Sequence, residues 1–487
     1  MKEKLIGFAS RFFATEFGQT IKHGLTYLSG NLALKSLRFV GIPILTRLLT
    51  EEDYGILNIF MSYVAIGGSV FTLNTYVGIG RYYHEKRGDF SDFFGTAIII
   101  SLGLTFLFYA ALFSYKEEAA ALLRLPSYVV LFIVPVALIT ILRSFHLQVF
   151  RAERASKKVR SLNVIVGVLS FILGISLVYL HPEENRYMGQ LWSRLLVLAV
   201  IIVIVFYRLR NRVSFNIKRD HIKFMFSYGV PLLPAYISGF ILAQFDRVML
   251  GSYVDNAEAG LYSFAYNIGM ILITIVRPIE NSFSPKFFQY MNAKKYKEHD
   301  VQVLKIVSLT SFLACGVVLF ADILGIVLGA ETFHKSLYLI PIIALGQYIL
   351  LLNPIYKRQI SFTKKTIYTS ITTIMAGLLN IGLNMIYIPK YGSIAAAFTT
   401  LVSYIFLLCL TYLITKYIIK SHSTSLGLIL PKVGVVMLAS AFYYVCFYWL
   451  DLNVFIEIIL KALVLLVCTG LLYWQLSLKF FKNLLKP

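Results

Sequence analysis

Fourteen apolar runs, each at least 20 residues long and bounded by charged clusters, constrain this chain more than any other feature. They fall at 24–46, 55–80, 92–115, 126–150, 161–180, 188–207, 224–254, 259–284, 302–328, 336–355, 366–388, 392–415, 429–450 and 454–477. A bilayer core takes about 20 apolar residues per helix, and a helix satisfies its own backbone there. An all-α polytopic membrane protein of about 14 transmembrane helices is therefore expected. Crossings of about 20 residues consume roughly 280 positions and leave about 200 for loops and tails, too few for a sizeable soluble domain. Composition agrees: 58% of the 487 residues are hydrophobic and 14% charged. A basic nucleic-acid-binding protein would not combine a net charge of +22 with a mean hydropathy of +0.73, so no nucleic-acid partner is expected.

The charge is distributed as topology requires, since cytoplasmic flanks collect Lys and Arg. The N-terminal tail, the even-numbered gaps and the C-terminal tail, counted with their adjoining helical turns, hold 33 of the 46 basic residues. The odd-numbered gaps hold six: Arg47, Lys116, Arg124, Arg186, Lys335 and Lys390. Both termini are thus expected in the cytoplasm. The first residues, with Lys2, Lys4 and Arg11 among Leu5, Ile6, Phe8, Phe12, Phe13 and Phe17, read as a retained interfacial helix and not a cleaved signal. Cys315, Cys409, Cys446 and Cys468 stand singly in apolar runs, without the spacing of metal or dithiol chemistry. No metal site is expected.

The chain also resembles itself. A shift of 205 places Thr50–Leu57 on Asp255–Tyr262, each an acidic turn and a glycine opening an apolar run, and Arg81–His84 on Lys286–Gln289. A shift of 207 places Arg151 and Lys157–Lys158 on Arg358 and Lys364–Lys365. An even number of crossings separates the copies, which predicts two parallel six-helix lobes. The organisation expected is an interfacial segment at 1–23, a first lobe at 24–207, a basic cytoplasmic linker at 208–223, a second lobe at 224–415, and two extra C-terminal helices with a cytoplasmic tail at 416–487.

Charge inside the membrane costs about 2.5–3.5 kcal/mol per residue on insertion scales and so marks a cavity or a partner. Set against Asp246 and Glu280 are Lys35, Arg38, Arg143, Arg194, Arg247, Arg277 and Lys461, an excess of five cations. Asn31, Lys35 and Arg38 share one helix face, as do Asn267, Thr274, Arg277 and Asn281. Asn58, Ser62, Ser69 and Thr72 make a further polar stripe. These helices are expected to line a cationic central cavity. Lys35, Arg38, Arg247 and Arg277, with Asn31 and Asn267, would attract an anion there, since guanidinium binds phosphate bidentately. Arg81 and Lys286 would stand at a cytoplasmic entrance, where anchoring of helix ends explains them as well. Asp246 and Glu280 could couple transport to an ion, although neutralising a nearby cation would also account for Asp246. Arg143, Arg194 and Lys461 can snorkel to the interface. Thr50–Asp53 and Asp255–Glu258 read as helix N-caps with acidic first turns. Gly229, Pro231, Pro234 and Gly239, and then Pro278 and Pro285, are expected to interrupt the seventh and eighth spans.

Enzymatic signatures are missing: there is no Walker loop, no His-Glu-x-x-His and no dinucleotide fingerprint. With no nucleotide site and no cofactor expected, energy would come from an ion gradient, the membrane potential or substrate flux. A membrane-embedded glycan polymerase or ligase would need a large outer loop, and none here exceeds about 20 residues.

Three segments carry a family likeness: PILTRLLTEEDYGILNIF (Pro43–Phe60), YGVPLLPAYISGFILAQFDRVMLGSYVDNAEAGLYSFAYNIG (Tyr228–Gly269) and NIGLNMIYIPKYGSIAAAFTTLVSY (Asn380–Tyr404). The chain resembles the Wzx-type polysaccharide flippases of the multidrug/oligosaccharidyl-lipid/polysaccharide exporter superfamily. That resemblance implies a MATE-like pair of six-helix bundles in the bacterial inner membrane. It implies a flippase that carries an undecaprenyl-diphosphate-linked oligosaccharide, an O-antigen, capsule or exopolysaccharide unit, from the cytoplasmic to the outer leaflet. A polymerase and a chain-length regulator of the same pathway would be its partners. Arg47, Gly55, Asp246, Arg247 and Gly260 match as motif members. Two activities of the same superfamily stay open, a peptidoglycan lipid-precursor flippase and a cation-coupled multidrug antiporter.

Overall fold

The computed structural model describes residues 37, 39–85, 87–449 and 453–484. Helices dominate, and no β-strand occurs among the described residues. Eleven helices among them are long and apolar enough to cross a membrane, or twelve when Glu51–Val70 and Thr75–Glu85, bent by 56°, are taken as one span. The protein is an all-α, multi-pass membrane protein. Of the expected first span the short apolar helix Phe39–Leu48 is described; most of the rest, and the interfacial segment 1–23, lie outside the described residues. One continuous stretch, Ile367–Ile418, has 52 residues, about 78 Å if straight and more than twice a bilayer core. It turns at Gly392, whose φ of 58° and ψ of −137° no β-carbon-bearing residue adopts readily. Two expected spans, 366–388 and 392–415, meet there.

The prolines act differently in the two helices expected to break. Between Arg219 and Tyr253 the α-helix gives way to a 3-10 turn at Val230–Leu232 and a π-helical turn at Ile241–Phe245, immediately before Asp246. By contrast, Asn256–Asn292 stays helical for 37 residues through Pro278 and Pro285. The expected interruption of that span is incorrect. A proline removes one donor and crowds one turn, but in a membrane neighbouring groups re-satisfy the carbonyls and the helix continues.

Two compact units make up the chain. One comprises Leu37–Ser263 with Asn384–Gly392, the other Phe264–Leu383 with Ser393 onward. In the first, the two segments that the repeat superimposes touch each other. A β-carbon at Gly55 would stand 1.7 Å from the Asn256 carbonyl oxygen, and one at Gly260 would stand 2.0 Å from the Glu51 carbonyl oxygen. The helix starts therefore cross backbone against backbone, the contact that small residues permit where lipid supplies no hydrophobic drive. Each start carries its expected cap. Thr50 Oγ1 accepts from the Asp53 amide at 3.1 Å, and Asp255 Oδ1 from the Glu258 amide at 2.7 Å.

The basic segment after Leu209 is tied to the turn at Arg87–Asp89. His221 Nε2 lies 3.1 Å from Asp89 Oδ2, Tyr82 donates its hydroxyl to Asp89 Oδ1 at 2.8 Å, and Lys218 Nζ lies 2.8 Å from Asp92. Hydrogen bonding to His221, above all, holds the Asp89 carboxyl below the usual carboxylate range.

In the second unit Tyr296–Leu319, Ile340–Leu352, Leu426–Trp449 and the helix from Val454 pack together. Lys461 is wholly buried among them. Its Nζ lies 2.6 Å from Asp322 Oδ2 and 2.6 Å from Glu457 Oε1, over the ring of Tyr443. The expectation that Lys461 snorkels is therefore wrong, because two carboxylates reach it within the helices. Both acids fall inside the expected spans 302–328 and 454–477, so more carboxylate stands against the intramembrane cations than Asp246 and Glu280 alone supply.

Candidate functional site

Asn31, Lys35 and Arg38 lie outside the described residues. The other site residues divide between the two units. Arg81, Asp246 and Arg247 belong to the first; Asn267, Arg277, Glu280 and Lys286 belong to the second.

In the first unit the π-helical turn at Ile241–Phe245 precedes Asp246. Its carboxylate, 1% exposed, accepts from the Tyr262 hydroxyl at 2.8 Å and from Asn384 Nδ2 at 2.8 Å. The Asn384 contact joins segments 138 residues apart. Arg247, next along the helix, is also buried. Its Nη1 donates back to the Ala243 carbonyl at 3.2 Å and to Gln244 Oε1. Arg81 is half-exposed and ion-paired with Glu85 one turn on, at 2.6 Å, with its guanidinium 5.0 Å from the Tyr228 ring centroid. The stripe of Asn58, Ser62 and Thr72 bonds its own helix, donating to the carbonyls of Tyr54, Asn58 and Gly68. Arg143, set aside at the sequence level, donates to Asn163 Oδ1 at 3.0 Å.

In the second unit the stripe on Asn256–Asn292 opens along its length. Asn267 is buried, Thr274 half-buried, and Arg277 and Asn281 exposed. An exposed guanidinium on a spanning helix faces water or a polar ligand, since hydrocarbon would cost about 2.5–3.5 kcal/mol. One turn further, Glu280 is 5% exposed. Arg358, on Pro354–Phe362, donates Nη2 to the Glu280 backbone oxygen at 3.0 Å and lies 5.7 Å from the Phe283 ring centroid. Arg358 and Arg277 both act electrostatically on the Glu280 carboxylate. Glu280, Phe283, Thr310 and Arg358 line a cavity of about 10 Å³, room for about one water. Lys286 is half-buried a turn and a half beyond Glu280.

Arg277 and Glu280 were legible as i, i+3 neighbours on one helix. Arg358 was not, because at the sequence level it is one more basic residue after a span; its only signal is the repeat that sets it against Arg151. Asn384 and Tyr262 give no signal at all, being neutral donors brought to Asp246 by the fold.

With this geometry in view, the comparisons with known proteins carry weight. The family described as "Polysaccharide biosynthesis protein" matches residues 21–291, more than half of the chain. "Lsg locus putative protein 1" of Haemophilus influenzae is 21% identical over 368 residues, 69% of this chain and 85% of that protein. The "Probable low-salt glycan biosynthesis flippase Agl15" of Haloferax volcanii is 21% identical over 40% of this chain and 43% of its own length. Among solved structures, "Lipid II flippase MurJ, inward closed conformation" superposes with a TM-score of 0.69 and 15% identity over 95% of this chain and all of that one, a likeness of fold. The chain belongs to the polysaccharide biosynthesis protein family.

Proposed function

We propose that the protein is a transporter, not an enzyme, and that it flips an undecaprenyl-diphosphate-linked oligosaccharide from the cytoplasmic to the outer leaflet of a bacterial inner membrane. The observation that carries this reading is the stripe on Asn256–Asn292. There a spanning helix exposes Arg277, and a second guanidinium, Arg358, stands beside the same glutamate. Fixed guanidinium groups in a low-dielectric setting suit a diphosphate, which they bind bidentately while the lipid tail stays in the bilayer. Family membership supports the glycan, and the names of the Agl15 relative and the MurJ neighbour support the flipping step. Lys35, Arg38, Arg247 and Arg277, with Asn31 and Asn267, attract the head group. Arg81 and Lys286 receive it at the cytoplasmic side. Alternating access moves it across, driven by an ion gradient through Asp246 or Glu280 or by the membrane potential. A polymerase and a chain-length regulator take the product.

Export in cells lacking their own flippase tests the charge role. The quadruple change Lys35→Gln, Arg38→Gln, Arg247→Gln and Arg277→Gln abolishes export of the lipid-linked glycan at wild-type protein levels. Full export by that variant would refute the role of these cations.

A further inference from the structure

Away from the charged stripe, the second unit brings two imidazoles and a carboxylate together at the foot of two helices. His299 and Asp300 lie in the first turns of Tyr296–Leu319, and His422 lies between Ile418 and Leu426. His299 Nδ1 is 3.1 Å from Asp300 Oδ1, and His422 Nε2 is 3.0 Å from the same oxygen. Thr424 Oγ1 donates to that oxygen too, at 2.6 Å. The candidate ligand atoms of the three residues all lie within 4.8 Å of one another.

We propose that His299, Asp300 and His422 hold a divalent transition-metal ion of the Zn2+ class, which fastens the segment before helix Leu426–Trp449 to the start of helix Tyr296–Leu319. Three arguments support the site. The first is spacing: a tetrahedral ion with bonds of 2.0–2.2 Å holds its ligand atoms about 3.3 Å apart, and both imidazole–carboxylate pairs are already near that separation. The second is crowding. One carboxylate oxygen offers about two lone pairs, yet three donor atoms converge on Oδ1. A cation among them lets each imidazole turn a lone pair inward beside Oδ1 and leaves the fourth position to Thr424 or to water. The third is support, because a metal site needs its ligands held by their surroundings. The His299 ring is 1% exposed and packs against Phe287 at 5.5 Å. Tyr296 stacks on His422 at 4.5 Å. The connecting segment is pinned on either side, by Ser421 Oγ donating to Gln359 Oε1 at 3.0 Å and by the Tyr356 hydroxyl donating to the Thr424 carbonyl at 3.1 Å.

The donor set selects the ion. Two imidazoles with one carboxylate suit Zn2+, Fe2+, Co2+ or Ni2+, whereas Mg2+ and Ca2+ prefer all-oxygen shells. Asp300 and His422 are each about a quarter exposed, with side chains at 25%, so an ion can enter and one coordination position can keep water.

The test uses the full-length protein in detergent, free of affinity tags and stripped with a chelator, titrated with Co2+ alone. One equivalent binds with a visible absorption band of nitrogen and oxygen ligation, and Zn2+ displaces it. His422→Ala weakens binding at least about 100-fold, and Zn2+ raises the melting temperature of the wild type but not of this variant. His422→Gln, which keeps a hydrogen bond to Asp300, serves if the alanine variant folds poorly, and it also loses the ion. Absence of stoichiometric Co2+ binding, or equal binding by wild type and His422→Gln, would show that Asp300 is only a shared hydrogen-bond acceptor and would overturn the proposal.

Discussion

Within one unit of this protein two charge clusters are built as opposites. Around Lys461 one cation meets two carboxylates, each at 2.6 Å, and the lysine is wholly buried. Around Glu280 one carboxylate is acted on by two guanidinium groups, and one of them, Arg277, is exposed. The first cluster is closed: its cation is spent on side chains of the same fold. The second has positive charge left over and turns it outward. Residue type separates them poorly, since Lys461 and Arg277 are both cations inside apolar runs. What separates them is whether the fold delivers enough carboxylate to meet the cation.

The largest effect expected from breaking this contrast is on the closed side. Lys461→Ala leaves the half-buried Asp322 and Glu457 without their cation and costs about 3 kcal/mol, read as a lowered melting temperature in detergent; wild-type stability would place that cluster with the open one. Close behind, Gly55→Leu drives a side chain into the Asn256 carbonyl and costs about 1–3 kcal/mol or more, visible as loss of folded protein, with Gly260→Leu its counterpart. On the open side the expectation reverses. Arg277→Gln leaves the melting temperature unchanged but lowers export about tenfold, the value of one charge-assisted hydrogen bond. A fall in stability without loss of export would make Arg277 a structural residue like Lys461.

The smallest effect lies outside the spans. Asp89 has a depressed pKa through its bond to His221, so its contribution is present above the ordinary carboxylate value and fades as pH falls through that value and below it. Asp89→Asn flattens this acid limb of the stability profile. The change stays under about 1 kcal/mol, because the aspartate is more than a third solvent-exposed.

These contrasts also mark where sequence reading stops. Apolar run length revealed the helices, and local chemistry revealed their starts, so the caps at Thr50 and Asp255 stood where an acidic turn before a glycine placed them. Run length also left a gap at 389–391, beside the turn at Gly392, even though helical hydrogen bonding carries on around that single residue of positive φ. Proline content misjudged Asn256–Asn292, since a lost donor kinks a membrane helix without ending it. The charges were harder still. Glu457 and Lys461 are one turn apart and could have been paired on the page, but Asp322 comes from 139 residues away. Arg358 reaches Glu280 across 78 residues, and His422 reaches Asp300 across 122. A helix face is local and legible; the face it meets is set by packing.

The crossing at Gly55 and Gly260 limits the ways this sequence can drift. When two side chains collide, a smaller partner across the contact can restore the fit, so such positions wander in pairs. Here each missing β-carbon would enter the other helix's main chain, which no exchange of residues can trim. Neither position therefore has a rescuing partner, and the two sites are tied to a single residue type by the same contact, one from each side.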